Sequence, residues 1–127
     1  MSQALKRILV IDDAATVRMY HRSILEGAGY VVEEAINGIE ALEKALTLPI
    51  DLYLVDINMP KQDGYGFLRE LRRQDIEQAP AVMISTEAEG RDRLRAYEAG
   101  ANFYLVKPIK PEELLAHCRL LLGGGGT

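Results

Sequence analysis

Three acidic side chains follow two short apolar runs, at positions where their carboxylates could share one site. Asp12 and Asp13 come after a run that ends at Ile11, and Asp56 closes a second run, Leu52 to Val55. Carboxylates held within a few Å of one another repel unless they are protonated or bridged by a cation. Mg²⁺ prefers such hard oxygen ligands, and it typically binds one or two carboxylates together with phosphate oxygens. These acids therefore predict a magnesium site if the fold brings them together.

Further along the chain are residues that could complete a site for phosphoryl transfer. An aspartate carboxylate such as that of Asp56 is a competent nucleophile towards phosphorus. Phosphoryl transfer needs mainly positioning and charge neutralisation. A hydroxyl at Ser85 or Thr86 could donate to a phosphoryl oxygen, and the ammonium of Lys107 could neutralise its charge. Zinc is disfavoured because neither His nor Cys joins the acids.

These residues meet only if the elements that carry them are packed in one sheet. Short apolar runs predict five strands, and each is followed by a segment of helical periodicity. The predicted strands are 7–11, 30–35, 52–55, 81–84 and 102–106. The second predicted helix ends before Pro49 and has an apolar face made of Ile39, Leu42, Ala45 and Leu46. Five alternations of strand and helix favour an α/β fold with a parallel sheet and helices on both faces.

The order of the strands decides which side chains become neighbours. Right-handed crossovers leave few topologies, and the flavodoxin-like, doubly wound order 2-1-3-4-5 is one of them. In that order strands 1 and 3 are adjacent, so Asp12, Asp13 and Asp56 come together at the switch point. Ser85 and Lys107, which end strands 4 and 5, fall on the same rim.

Other residues of chemical interest are expected to be structural. His21 and His117 are expected on the solvated surface or at helix ends, and Cys118 is expected to pack as a small hydrophobic residue. A solvated face of the fourth helix is expected to carry three arginines, Arg91, Arg93 and Arg95.

Composition limits the classes of function. The chain has 127 residues, a net charge of −4 and one cysteine, which suits a single domain in a reducing compartment. Direct nucleic-acid binding is not expected because a basic footprint is missing. We expect no membrane association and a cytoplasmic location, since neither a signal peptide nor a span-length apolar run is present. The domain is predicted over residues 1–122, with 123–127 as a flexible Gly-rich tail or linker stub.

The combined motif resembles the receiver domain of two-component response regulators over about residues 6–122. The matching residues are Asp12-Asp13, Asp56 through Pro60, Asp63-Gly64, Ser85-Thr86, Gly100-Ala101 and Lys107-Pro108. This resemblance implies a (βα)₅ fold similar to that of single-domain CheY proteins. It also implies that Asp56 accepts a phosphoryl group from the phosphohistidine of a sensor histidine kinase or a phosphotransfer protein.

The resemblance also implies a role for each residue of the site. Asp13 and Asp56 would bind Mg²⁺ through carboxylates, Asn58 through its backbone carbonyl, and Asp12 mainly through water. Lys107 would contact the phosphoryl group. Ser85 would be the switch hydroxyl, and Tyr104 the aromatic that changes rotamer when that hydroxyl moves.

Two positions depart from the family pattern. Thr86 stands where Ala or Gly is usual after the switch hydroxyl, so its bulk is expected to affect access to Asp56. Asn102-Phe103 replaces an acidic pair that helps DNA-binding members to dimerise, so we expect a monomer.

The leading hypothesis is a signalling switch rather than an enzyme, acting on a partner through its helix 4–strand 5–helix 5 face. Asn58 and Glu87 flank the site as in chemotaxis receivers, which favours that group. The chain would be either a stand-alone receiver or one cut at a linker. Two alternatives stay open: a small aspartate-nucleophile phosphohydrolase, and a receiver-like adaptor that no longer needs phosphate. Asn58 in place of a second Asp disfavours the first, and retention of Asp13, Asp56 and Lys107 disfavours the second.

Overall fold

Strands and helices alternate along the whole of the described chain. A computed structural model describes residues 5–59, 63–87 and 89–123. The strands are β1 (Arg7–Ile11), β2 (Val31–Ala35), β3 (Leu52–Asp56), β4 (Ala81–Ser85) and β5 (Phe103–Val106). The helices are α1 (Ala15–Gly27), α2 (Gly38–Thr47), α3 (Gly64–Arg73), α4 (Gly90–Ala99) and α5 (Pro111–Leu122). The predicted succession of five strands and five helices is confirmed.

All neighbouring strands pair in parallel, in the order β2-β1-β3-β4-β5. This is the predicted doubly wound, flavodoxin-like order. In the register of the ladder Asp56 lies opposite Ile84 on β4, and Ser85 lies opposite Val106 on β5. The carboxyl ends of β1, β3, β4 and β5 therefore meet along one edge, which we call the carboxyl edge.

Two hydrophobic cores sandwich the sheet. Leu9 and Tyr53 point to the face covered by α2, α3 and α4, whereas Ile8 and Leu54 point to the face covered by α1 and α5. Strand side chains alternate between faces with a period of two, so each strand serves both cores. Cys118 is buried in the second core, and burial raises the pKa of its thiol to about 12. Its expected role as a small packed hydrophobic residue is confirmed.

The outer face of α2 differs from the prediction. Ala41 and Ala45 are buried against the sheet, together with Gly38, whereas Ile39 is 52% exposed and Leu46 is 48% exposed. Small side chains at this spacing let the helix backbone approach the sheet closely. The larger residues, about a quarter-turn away on the helix, are left on the outer surface. Apolar character alone predicts that Ile39 and Leu46 face the core. This was wrong, because the size of the side chains decides which side of α2 packs on the sheet.

The arginines of α4 also differ from the prediction. Arg91 is 82% exposed and pairs with Glu89, as expected of a solvated side chain. In contrast, the guanidinium carbon of Arg93 lies 5.1 Å from the ring centre of Tyr104, and that of Arg95 lies 4.2 Å from the ring centre of Tyr65. Arg93 is only partly exposed, so the expectation of a solvated face was wrong for this residue.

None of the helices in the described ranges is long and apolar enough to span a bilayer.

Candidate functional site

Three carboxylates converge at the carboxyl edge, where β1 and β3 end side by side. One oxygen each from Asp12, Asp13 and Asp56 can be chosen such that all lie within 4.8 Å of one another. Asp12 and Asp56 are buried, and Asp13 is exposed. The parallel pairing of β1 with β3 brings these acids together, since each follows or ends its strand. We call these three residues the acid cluster.

Lys107 supplies the positive charge beside this cluster. Its Nζ lies 3.2 Å from Oδ1 of Asp56 and 3.5 Å from Oδ2 of Asp12. The backbone amide of Lys107 donates to the carbonyl of Ser85 at 2.7 Å, which extends the β4–β5 pairing to the residue that carries the ammonium. One ammonium thus faces two buried carboxylates, so the negative charge is only partly neutralised.

The electrostatics of Asp56 reflect this imbalance. Burial raises the pKa of its carboxyl, and the neighbouring charge of Asp12 raises it further. Lys107 acts in the opposite direction through charge and a hydrogen bond, and the backbone N–H of Asn58 also favours the ionised form. Desolvation is the largest of these effects. A cation with a preference for hard oxygens would relieve the repulsion, so the donor set fits Mg²⁺.

Two hydrogen bonds hold Asp12 in place. Oδ1 of Asp12 accepts from the amide of Ala14 at 2.9 Å, and the Asp12 carbonyl accepts from Nη1 of Arg18 at 2.7 Å. Asn58 is exposed just beyond β3. Pro60, the last residue of the Asp56–Pro60 part of the sequence motif, lies outside the described residues, as do Lys61 and Gln62.

Gly64, the first residue of α3, packs closely against the backbone at the end of β3. A Cβ at this position would lie 2.7 Å from the carbonyl oxygen of Asp56 and 2.9 Å from Cα of Ile57. Both neighbours are backbone atoms, which side-chain rotation cannot move. Asp63 caps the helix by accepting from the amide of Gly66 at 2.8 Å. The Asp63-Gly64 pair therefore lets α3 start directly against the strand that carries Asp56.

Ser85 and Tyr104 share one backbone neighbour. Oγ of Ser85 accepts from the amide of Glu87 at 3.0 Å, and Oη of Tyr104 donates to the carbonyl of Glu87 at 2.7 Å. Ser85 and Tyr104 are both buried, and Thr86 is exposed. The structure thus places Ser85, and not Thr86, at the buried end of β4. It also has Tyr104 turned inward.

His21 is a neighbour of the site that sequence reasoning missed. It is only 4% exposed, contrary to the expected solvated position. Burial lowers the pKa of its imidazole; Asp12 opposes that shift and Lys107 adds to it. His21 lines a cavity of about 410 Å³ together with Thr86 and Lys107. Its position four residues from Val17 and from Leu25, both on the packed side of α1, is the signal that would have found it.

Comparison with known proteins places this arrangement in a family. The sequence model of the response regulator receiver domain matches residues 8–119. The chain therefore belongs to the receiver domain family, whose members act as signalling switches in two-component systems and bind Mg²⁺ through acidic residues.

Two curated relatives of this chain are named as transcriptional regulators. The transcriptional regulatory protein ResD of Bacillus subtilis is 38% identical over 116 residues, 91% of this chain and 48% of that protein. The DNA-binding dual master transcriptional regulator RpaA of Synechocystis is 37% identical over 117 residues, 91% of this chain and 48% of that protein. The chain thus spans about half the length of these curated relatives.

Solved structures include receivers of this chain's size. The chemotaxis response regulator CheY4 of Vibrio cholerae superposes with a TM-score of 0.89 at 35% identity, covering 94% of this chain and all of that chain. A CheY-like receiver domain protein from Methanospirillum hungatei has a TM-score of 0.88 at 31% identity, covering 94% of this chain and 95% of that one.

Proposed function

We propose that this chain is a phospho-accepting receiver that takes a phosphoryl group onto Asp56. The donor is the phosphohistidine of a sensor histidine kinase or of a phosphotransfer protein. The observation that carries the proposal is the placement of Lys107 Nζ 3.2 Å from Oδ1 of Asp56, inside a cluster of three converging acids. A buried nucleophile beside a fixed ammonium is the arrangement that phosphoryl transfer requires.

The chemical step follows from the geometry. An Oδ atom of Asp56 forms a bond to phosphorus while the phosphorus–nitrogen bond of the donor breaks, and the imidazole leaves with the electron pair. Lys107 holds the carboxylate and is within reach of a phosphoryl oxygen. The acid cluster and the carbonyl of Asn58 would hold Mg²⁺, which when bound neutralises the carboxylates and the entering phosphoryl group.

The return step needs no further catalyst in this proposal. Attack of water on phosphorus breaks the bond to Asp56 and releases inorganic phosphate, which restores the carboxylate. The protein acts on its own phosphoryl group and turns over no external substrate. Thr86, exposed beside Lys107 on the cavity next to the site, is placed to limit the approach of donor and water.

Transmission of the signal uses groups different from those of the chemistry. A phosphoryl group on Asp56 adds acceptor oxygens to which the Ser85 hydroxyl can donate. As Ser85 turns towards them, its contact with the amide of Glu87 weakens and space opens beneath the loop after β4. This favours the inward position of Tyr104, in which its hydroxyl donates to the Glu87 carbonyl. The consequence is a population shift in the face formed by α4, β5 and α5, which we call the switch face.

The switch face is proposed to bind the downstream partner. Arg91 and Arg95 lie near its edge, and Lys110 lies beyond β5. Control of a chemotaxis partner is supported by the similarity to CheY4 and by Asn58 and Glu87 beside the site. A second candidate output, control of transcription as part of a longer protein, is favoured by the similarity to ResD and RpaA.

Labelling with acetyl phosphate tests the acceptor. Wild type should take up one phosphoryl group per chain in a Mg²⁺-dependent reaction, and intact-mass measurement should find none on Asp56→Asn. Asp63→Asn is the matched control, since Asn caps a helix as well as Asp does, and it should label like wild type.

The same assay separates the alternatives. Sustained release of phosphate in large excess over protein would support a phosphohydrolase, and absence of labelling with Mg²⁺ would support an adaptor. Labelling of Asp56→Asn equal to that of wild type would contradict the assignment of the nucleophile.

A further inference from the structure

Helix α4 has few stabilising interactions at its N-terminus and a small buried surface. It begins at Gly90, and its N-cap residue, Glu89, makes no side-chain capping bond. Glycine lowers the stability of a helical turn, and an uncapped start leaves amide groups unpaired. Only Ala96 and Ala99 are buried, and both are small. The first two turns of α4 therefore depend on contacts made by their longer side chains.

Arg93 makes one of those contacts with Tyr104 on β5. Its guanidinium carbon lies 5.1 Å from the centre of the Tyr104 ring, and its Nη1 donates to the Tyr104 carbonyl at 3.4 Å. The phenol is 4% exposed, and its hydroxyl is bonded to the carbonyl of Glu87. The Tyr104 side chain is thus held at its hydroxyl by the Glu87 carbonyl and at its ring face by the Arg93 cation.

Arg95 makes the second contact, with Tyr65 on α3. Its guanidinium carbon lies 4.2 Å from the Tyr65 ring centre, and the Tyr65 hydroxyl donates to the carbonyl of Asp92 at 3.3 Å. Tyr65 is buried and follows Gly64, the residue packed against the Asp56 carbonyl. Helix α4 is therefore tied to β5 by Arg93 and to the start of α3 by Arg95, two residues further along.

We propose that Arg93 is a positioning residue of the switch, which holds Tyr104 inward before any phosphoryl group reaches Asp56. Arg95 supports it by keeping α4 against Tyr65. This inference rests on the proposed function for its biological meaning. The inward orientation of Tyr104 that it explains is a property of the unphosphorylated chain.

A consequence follows for signalling. If Tyr104 is inward without phosphate, part of the switch face is already in the packing that phosphorylation is proposed to favour. The unphosphorylated receiver then retains partner binding, and phosphorylation changes it by a smaller factor. Loss of Arg93 should lower that basal level.

The test measures the exposure of Tyr104 in the absence of any phosphodonor. Fluorine NMR of protein labelled with 3-fluorotyrosine, assigned through Tyr104→Phe, reports the broadening of each ring by a soluble gadolinium chelate. Exposed Tyr97 gives an internal reference. Arg93→Met keeps the length and apolar stem of the side chain and removes the cation. Arg91→Met is the matched control, because that guanidinium touches only Glu89 among the described residues.

We expect the Tyr104 signal of Arg93→Met to broaden roughly two- to fivefold more than in wild type. Loss of a cation–π contact should raise the population with Tyr104 turned outward by about that factor. Arg91→Met should match wild type, and Arg93→Lys should fall between them. Equal protection of Tyr104 in wild type, Arg93→Met and Arg93→Lys would overturn the proposal.

Failure of this inference is distinguishable from failure of the proposed function. The broadening experiment is repeated on Asp56→Asn, which cannot be labelled if Asp56 is the acceptor. An Arg93 effect present in both backgrounds supports the positioning role, whatever the outcome of acetyl phosphate labelling. An Arg93 effect absent from both backgrounds overturns it, even if Asp56 is labelled.

Discussion

At the scale of single residues, the surroundings of Asp56 destabilise its ionised carboxylate in the metal-free protein. Its carboxylate is buried beside Asp12, and Lys107 offsets this only in part. Repulsion of this kind is common where a site must bind a cation or an anionic group. The same charges that would recruit Mg²⁺ thus weaken the metal-free fold.

The first prediction at this scale concerns pH. The folded-state pKa of Asp56 is raised, so the ionised carboxylate destabilises the fold above that pKa, and the penalty disappears as the pH falls through it. Asp56→Asn should therefore stabilise the metal-free protein by about 0.5–2 kcal/mol at neutral pH. Urea unfolding with a chelator should show this difference shrinking as the pH is lowered. A difference that grows on acidification would contradict the sign of the shift.

The second prediction concerns the metal. A ligand that binds only the folded state at about 100 times its dissociation constant stabilises that state by about 2.7 kcal/mol. Mg²⁺ should raise the melting temperature of wild type, and Asp13→Ala should lose most of that effect because one carboxylate of the cluster is gone. Asp75→Ala, at an exposed acid outside the cluster, should keep it. An unchanged Mg²⁺ shift in Asp13→Ala would refute the metal site.

At the scale of elements, the connection from β3 to α3 sets the position of Asp56. The amide of Gly64 donates to the carbonyl of Ile57 at 2.9 Å, and no room exists for a Cβ between the helix start and the Asp56 carbonyl. Glycine is required here by close approach, since its φ is not in the left-handed region. The helix and the strand are therefore fixed to each other at the site.

Gly64→Ala tests this packing. Alanine is the better helix former, but its Cβ would force backbone atoms apart, so we expect a loss of about 1–3 kcal/mol together with slower labelling of Asp56. Gly27→Ala is the matched control, because a Cβ there meets nothing within 4 Å, and it should stabilise by about 0.4–1 kcal/mol. Chemical denaturation measures the free energy of unfolding of both variants, which should change in opposite directions. A Gly64→Ala variant more stable than wild type would show that the backbone atoms move apart without cost.

At the scale of the whole molecule, adjacent strands of the sheet connect Asp56, the proposed acceptor, to the switch face. Asp56 lies opposite Ile84, the next residue on β4 is Ser85, and Ser85 lies opposite Val106 on β5. Each step from Asp56 to β5 thus crosses to the neighbouring strand, and Ser85 is the side chain that we propose moves.

Ser85→Ala should separate chemistry from readout. The variant keeps Asp56 and Lys107, so it should still be labelled, but it lacks the hydroxyl proposed to turn towards a phosphoryl oxygen. Amide NMR with and without a phosphoryl mimic should show smaller shifts over residues 87–110 in the variant than in wild type. Equal shifts would exclude Ser85 as the coupling hydroxyl and make Thr86 the next candidate.

Much of the fold and the makeup of the acid cluster could be predicted from local patterns. Apolar runs of strand length alternate with helical periodicity, and a parallel sheet must bring the carboxyl ends of its strands to one edge. That rule alone puts Asp12, Asp13, Asp56, Ser85 and Lys107 on one edge, because each residue ends or follows a strand. The contact between the acids of β1 and β3 also requires the strand order 2-1-3-4-5.

Only the tertiary structure decided which side of a helix is covered and what a long side chain touches. Ile39 and Leu46 have the apolar character of core residues, yet the alanines of α2 pack closer to the sheet. His21 is buried because α1 turns it inward, and Arg93 reaches Tyr104 because β5 lies beside α4. Such contacts join residues distant in sequence and depend on side-chain size and reach, which hydrophobic periodicity does not record.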